Sequence, residues 1–397
     1  MPVPDAEGVR ERDEEARRGR QHGRAALQGQ VPAPAGSARR VRQVEHRGGL
    51  RMKVAIIGAG AIGVRIGMEL AERDMEVEIY DAKYPEYGTT GRSIGVVSVQ
   101  QRDPRLVSLA LESSKLMAEL DKRLKQDVGY PVGVMGEAAP HVSIALTPKD
   151  REDIARQSNI WRSAGADVKE MSPIEVKDAL LPWIDDRAFT SAFVTTNDYK
   201  VTAFPYAYGM LMIMRSKGGK VFRSREVTGF ETNGSIVKAA VINGSQRVEA
   251  DAFVIAAGAA SPKLISKLGD NPVPVRIALG GGAVTEPYKY AFKPIVTLDR
   301  KGYRFTQTLR NEFVMAVYDM GVDNPDMSVE ESLRVMERMA TVTVKLFPSF
   351  TYMNALRQWG AYLDYTSDRL PVVGWSPRHE NVYYAYGFGN YGFSVGP

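Results

Sequence analysis

Apolar positions along this chain change period in a regular order, and the order carries most of the fold. Lys53–Ile57 is a short continuous apolar run of strand length. Ala61–Arg73 repeats its apolar residues at helical spacing, and Glu76–Tyr80 alternates as a half-buried strand that ends at Asp81. Helical periodicity returns over Leu106–Leu124, Arg151–Ala164 and Ala203–Lys217. Strand patterns occupy Gly129–Leu146, Phe189–Thr196 and Lys220–Phe230. Turns at Asn233-Gly234 and Asn243-Gly244 separate strand Ile236–Ile242 from its neighbours, and Ala252–Ala256 follows as a further strand. An early βαβ unit of Rossmann type with later antiparallel hairpins predicts an α/β fold, a parallel-sheet domain interleaved with an antiparallel-sheet one.

Composition separates the first residues from the rest. Residues 1–51 hold 11 Arg, no Lys and 7 acids, with almost no large apolar residue. Such a segment buries too little surface to offset its ordering entropy, so an Arg-rich disordered tail is expected. A start placed upstream of Met52 and a basic interaction arm are its two readings. The tail carries +4 of the net +5, leaving the body nearly neutral, and no basic, aromatic-studded face for nucleic acid is expected. No run reaches membrane-spanning length and no leader pattern precedes a cleavage site, so a cytoplasmic protein is expected.

With no Cys, the chain cannot form disulfides, thiolate metal sites or a cysteinyl-linked flavin. Its four histidines are His22, His46, His141 and His379, and no metal-ligand spacing joins them. His141 and His379 read as ordinary loop or surface residues. Redox chemistry must then come from a bound cofactor.

The dinucleotide signature is Gly58-Ala-Gly60-Ala-Ile-Gly63, placed between a strand and a helix, with Asp81 closing the next strand. Gly58 permits the tight turn, Gly60 lets backbone approach a pyrophosphate, and Gly63 allows close helix–strand packing. The helix start at Ala61-Ile62 offers amides to the anion, and Asp81 with Ala82 lies where ribose hydroxyls would bind. The βαβ unit alone does not separate FAD from NAD.

Four further segments resemble the D-amino-acid oxidase-like superfamily of FAD enzymes, in its order. Gly88-Thr-Thr-Gly-Arg-Ser-Ile-Gly95 is similar to the loop that wraps the flavin there, and Ala252–Ser261 to a later strand and glycine turn. Arg357–Gly374 is similar to its R-x-W…T-x-D-x-x-P-x-x-G segment, and Tyr386–Phe393 to its closing glycine motif. Val284–Tyr290 and Tyr303–Thr308 look closest to the sarcosine oxidase β-subunit and dye-linked L-proline dehydrogenase branch. The resemblance implies FAD held by Thr90, Gly91, Arg92, Ser93, Val227, Ala257, Gly258, Gly389, Asn390, Tyr391, Gly392 and Phe393, beside the βαβ residues above. It implies hydride transfer from a small amino acid (proline, sarcosine or a D-amino acid) to flavin, then to oxygen, a quinone or a partner subunit, in a homo- or hetero-oligomer. The alternatives are a 2-hydroxy-acid dehydrogenase and a non-catalytic flavin-binding subunit.

For the substrate, Arg357 and Arg304 are the carboxylate anchors, because a guanidinium fork matches two oxygens, with Tyr303 and Gln307 as pocket hydrogen-bonders. Arg357 has a structural alternative in a pair with Asp368. Glycine-oxidase-like members carry arginines where Gln307 and Leu363 stand, which argues against glycine as substrate. Tyr391 stands where that branch has a histidine, and it is kept as a group near the flavin. The expected domains are 52–130, 195–260 and 356–397 for FAD, and 131–194 and 261–355 for substrate. The chain stops at Pro397, just after the motif that opens a final helix in relatives.

Overall fold

A computed structural model describes residues 51–127, 129, 136–288, 293–298, 302–318 and 329–397. The expected tail over residues 1–50, and positions 130–135 of the expected strand Gly129–Leu146, lie outside them.

Two large sheets organise the chain. The first has six strands in the order Val372–Trp375, Val382–Tyr386, Ala252–Ile255, Lys53–Ile57, Glu76–Tyr80 and Lys220–Phe222. All neighbours run parallel except Val372–Trp375, which is antiparallel to Val382–Tyr386. Lys53–Ile57 is therefore central, and its residues after Lys53 are buried as the continuous apolar run requires. On one face Val54 and Ile56 pack with Val64 and Met68 of helix Ala61–Glu72 and with Met210 and Met214 of helix Ala203–Ser216. On the other face Ala55 and Ile57 meet Val237, Ala240 and Ile265, from an antiparallel ribbon and helix Ser261–Lys267.

The second sheet has eight strands in the order Ala355–Thr366, Val275–Pro287, Glu312–Val317, Tyr303–Gln307, Ile295–Leu298, His141–Ala145, Ser191–Thr195 and Val168–Met171. It is antiparallel apart from the pair Ile295–Leu298 with His141–Ala145. Helix Val329–Leu346 supplies Met339 and Leu346 to the apolar cluster that includes Phe305, Phe313 and Met315 of this sheet. A small three-stranded sheet contains Val96–Val97, Tyr199–Val201 and Gly136–Ala138. The expected α/β fold with interleaved parallel and antiparallel sheets is present.

Most element expectations hold within a residue or a few. The described part of the expected strand Gly129–Leu146 is two strands, Gly136–Ala138 in the small sheet and His141–Ala145 in the eight-stranded one. Lys220–Phe230 is not one strand but Lys220–Phe222 in the parallel sheet and Val227–Asn233 in the antiparallel ribbon. Between them Ser224 takes φ +54°, its amide bonds Lys83 O at 2.7 Å, and Asn243 Nδ2 donates to Ser224 O at 3.1 Å. Tertiary bonds bend a segment that alternation alone reads as straight. The ribbon also has a third strand, Gln246–Glu249, whose mostly exposed polar residues gave no apolar pattern. It follows the Asn243-Gly244 turn, where both residues have positive φ (48° and 80°) as a tight hairpin demands.

Candidate functional site

The glycine turn is built by contact. Gly58 has φ +106°, and a β-carbon there would stand 2.4 Å from Ala256 O. At Gly63 a β-carbon would stand 2.0 Å from Gly58 O, so the helix touches the turn. Gly60 caps helix Ala61–Glu72 without a side-chain hydrogen bond of its own. Asp81 fixes the same turn: its Oδ2 accepts from Ala59 N at 2.9 Å and its Oδ1 from Lys83 N at 2.8 Å.

The other sequence-singled segments converge here. Thr90 Oγ1 accepts from Ala61 N at 2.9 Å, placing the wrapping loop against the helix start. Ala256 N donates to Ile57 O at 2.9 Å, which puts Ala257 and Gly258 beside the glycine turn, and the space where a Gly258 β-carbon would point is open. The closing segment seats on the helix, since a β-carbon at Gly396 would stand 2.2 Å from Ile62 Cδ1. Phe393 is buried near Ile62 and meets Tyr206 edge-on at 5.7 Å. Gly392 opens a short terminal helix after Gly389, Asn390 and Tyr391. Val227 is buried at the start of its strand, near Tyr80 and Phe222, and Ala82 is exposed just past Asp81.

Sequence reasoning missed Asp364, which holds the closing motif. Its Oδ2 accepts from Gly387 N at 2.8 Å and its carbonyl accepts from Gly389 N at 3.1 Å. Burial pushes its carboxyl up from the ordinary range, against the opposing pull of these amides.

A cavity of about 490 Å³ opens between the wrapping loop and the eight-stranded sheet. Arg92 and Ser93 border it on the loop side, with Thr306, Gln307 and Arg357 on the sheet side. Gln307 is buried and donates Nε2 to Asn311 O at 2.8 Å and Tyr288 O at 3.3 Å. Arg357 is exposed at the mouth and lies over the Trp359 ring at 5.5 Å, while Trp359 Nε1 donates to Arg92 O at 2.8 Å. The alternative pair with Asp368 is not formed: Asp368 Oδ1 instead accepts from Leu370 N at 3.0 Å.

The remaining candidates stand elsewhere. Tyr303 is buried in the apolar cluster with Phe305 and Met315. Arg304 donates Nε to Thr297 Oγ1 at 3.0 Å and lies over the Tyr318 ring at 5.1 Å. The Tyr391 hydroxyl donates to Arg369 O, and burial pushes it up to about 12. None of these three borders the cavity. Leu363 is buried among Tyr365 and Tyr391.

Two further polar groups were not legible beforehand. Lys200 is buried in the cavity wall, ion-paired with Glu137 at 2.9 Å and donating to Gln307 O at 3.0 Å. Burial lowers its pKa, and the Glu137 partner opposes that shift. His141 is neither loop nor surface: it is fully buried, with Nδ1 3.0 Å from Ser98 Oγ and 3.1 Å from Asp198 Oδ1, and Nε2 2.6 Å from Thr297 Oγ1. His379 is buried as well, with Nε2 3.0 Å from Leu268 O, in a structural setting.

A profile of the family described as "FAD dependent oxidoreductase" matches residues 53–397. Glycine oxidase of Geobacillus kaustophilus is 24% identical over 353 residues, which is 87% of this chain and 90% of that one. A sarcosine oxidase subunit beta of an Arthrobacter species is 22% identical over 358 residues, 87% of this chain and 84% of that one. Among solved structures, L-proline dehydrogenase from P. horikoshii superposes with a TM-score of 0.77 at 22% identity, covering 87% of this chain and 90% of that one.

Proposed function

The chain belongs to the FAD-dependent oxidoreductase family, and from that premise we propose that it oxidises proline, sarcosine or a D-amino acid by hydride transfer to the flavin. Its cofactor is FAD. The observation that carries the proposal is the cavity, which joins the Arg92–Ser93 loop to a sheet wall bearing Gln307 and Arg357. A small zwitterion fits a 490 Å³ space with a guanidinium at its mouth.

The residues present suit the cofactor. The helix start at Ile62 and Gly63, with the turn at Gly58 and Gly60, would hold the diphosphate, and Asp81 the adenosine ribose. Thr90, Gly258 and the closing segment Gly389–Phe393 stand against this turn and would bound the rest. FAD supplies the hydride acceptor, and the chain's part is to orient the α-carbon and bind the carboxylate. Gln307 and the buried Leu363 leave no paired arginines of the glycine-oxidase kind, which supports a substrate other than glycine.

The domain division stays part of this proposal, with 52–130, 195–260 and 356–397 serving FAD. Ala355–Thr366 runs in the eight-stranded sheet, so the third segment begins in one sheet and ends in the other. Cytoplasmic residence and delivery of electrons to oxygen, a quinone or a partner subunit belong to the same reading. The sarcosine oxidase relative is a subunit by name, which supports a heteromeric assembly. Among the described residues no helix is long and apolar enough to cross a membrane.

The test is anaerobic titration of FAD-loaded protein with L-proline, D-proline, sarcosine and D-alanine. Bleaching of the oxidised flavin band by one of them is the expected result. A yellow protein bleached only by 2-hydroxy acids, or by nothing, overturns the amino-acid reading.

A further inference from the structure

Three aromatic rings border the cavity without being buried. Tyr84, Tyr87 and Phe204 line it and are 52%, 41% and 55% exposed. Single exposed apolar residues are ordinary on a folded surface, but a cluster of them around one concavity marks a binding site. Local structure puts the rings there. Tyr87 N donates to Tyr84 O at 3.1 Å, closing a turn that leaves both rings outside the core. Glu86, between them, is instead buried at 3% exposure, with φ +68°. Phe204 stands in the first turn of helix Ala203–Ser216, whose buried face holds Ala203, Ala207, Met210 and Met214. The solvent face of such a helix is ordinarily polar, yet here it exposes Phe204 and, one turn on, Tyr208.

The rings are also held in place. Tyr84 and Tyr87 meet edge-on at 5.1 Å, and the Arg92 guanidinium lies 4.7 Å from the Tyr87 ring centre. Phe204 stacks parallel to Tyr208 at 6.5 Å. Groups fixed before binding lose little conformational entropy when a ligand covers them. Size and charge say what covers these. A cavity of about 490 Å³ falls in the range that encloses drug-sized ligands, so sarcosine or D-alanine would leave most of it to water. Lys200 and Arg310 are already paired with Glu137 and Glu312, at 2.9 and 3.2 Å. Arg357 borders the same space and has no carboxylate partner among the described residues. A ligand that satisfies both features has a carboxylate at one end and a large apolar group at the other.

We propose that the substrate is an amino acid with a large aromatic side chain, which Tyr84, Tyr87 and Phe204 receive while Arg357 takes the carboxylate. This names a class within the amino-acid reading above and rests on it. The preference comes from removing the substrate ring and three exposed protein rings from water together, in the edge-on and offset contacts that aromatic groups favour.

Calorimetry on full-length, FAD-loaded protein compares propanoate with 3-phenylpropanoate. The two share the carboxylate, differ by a phenyl group and have no amine to oxidise, so binding is read apart from turnover. Wild type should bind the phenyl compound roughly tenfold more tightly or better. Phe204→Ala and Tyr84→Ala, on separate elements, should each cut that ratio by about threefold or more, and Phe204→Leu should keep part of it. Thermal melts should stay near wild type, because both side chains are exposed, which separates lost recognition from lost folding. Anaerobic flavin reduction should show the same preference in the dissociation constants for D-phenylalanine and D-alanine. Equal affinity of wild type for the two carboxylates, or a ratio that the folded variants leave unchanged, overturns the role of the rings. If D-alanine bleaches the flavin and D-phenylalanine binds no better, the class named here fails and the amino-acid reading stands. If no amine of either size bleaches it, both fail.

Discussion

Asp81 Oδ2 accepts the Ala59 amide at 2.9 Å, so the carboxylate that ends the second strand also braces the glycine turn after the first. In the proposed FAD site the same group would meet the adenosine ribose. Asp81→Ala should therefore weaken FAD binding roughly 10- to 100-fold, one to two lost charge-assisted hydrogen bonds. Asp81→Asn, which keeps an acceptor, should lose less. Flavin fluorescence titration of the apoprotein reads both. Equal affinity in Asp81→Ala and wild type would remove Asp81 from the cofactor site.

Gly63→Ala tests the close approach of helix and turn. The added methyl group falls 2.0 Å from Gly58 O, a backbone atom with no rotamer to yield. The helix must shift away, at a cost of about 1–3 kcal/mol in unfolding free energy by overpacking. Urea unfolding should show that loss, along with weaker retention of FAD during gel filtration. A stability within 0.5 kcal/mol of wild type would mean the helix moves freely on the sheet, roughly the tolerance of a surface change.

Much of this was legible in the sequence because it rests on local rules. The turn at Gly58–Gly63, its strand before and helix after, and Asp81 at the next strand end all follow from residue type and period. What was not legible depends on distant partners. Asp364 holds Gly387 across 23 residues, and no local pattern marks a carboxylate that will accept a backbone amide. Tyr303 and Gln307 share one short strand, yet Gln307 borders the cavity while Tyr303 joins the apolar cluster beneath helix Val329–Leu346. His141 read as a surface residue because its partners Ser98, Asp198 and Thr297 come from three separate segments. Glu86 gave no signal at all, since a glutamate in a loop ordinarily faces water.

His141 supports a prediction of its own. Its ring bridges strand His141–Ala145 to Ser98, Asp198 and Thr297 with no exposed surface. His141→Phe keeps the volume and strands those groups, so unfolding free energy should fall by about 3 kcal/mol or more. His141→Asn should lose less, because its amide can still reach one neighbour. Equilibrium urea unfolding decides it, and a loss below about 1 kcal/mol would show that the buried polar groups re-pair without the imidazole.

Glu86 also predicts how stability varies with pH. Its carboxyl is raised by burial from 4.5 to about 8, so the folded state favours the protonated form. The stabilisation is fully present below pH 4.5 and is lost as pH rises through about 8. Glu86→Gln, which has nothing to ionise, should gain on wild type across that window, by up to about 3–5 kcal/mol above it. Urea unfolding at pH 5, 7 and 9 measures the difference. A gap that stays constant with pH would mean that the carboxyl reaches water in the free protein.

Arg357 offers a test of the cavity as the proposed substrate site. Its guanidinium stands at the mouth over Trp359, and no carboxylate of the chain takes it up among the described contacts. A bidentate bond to substrate carboxylate is worth about 2 kcal/mol, so Arg357→Met should raise KM roughly 30-fold. The reduction rate at saturation should change little, because the anchor acts on the bound ground state and the transition state alike. Arg357→Lys should recover part of the affinity with one donor in place of a fork. If instead kcat falls and KM holds, Arg357 acts by supporting Trp359 and, through the Trp359 bond to Arg92 O, the loop on the cavity's other side.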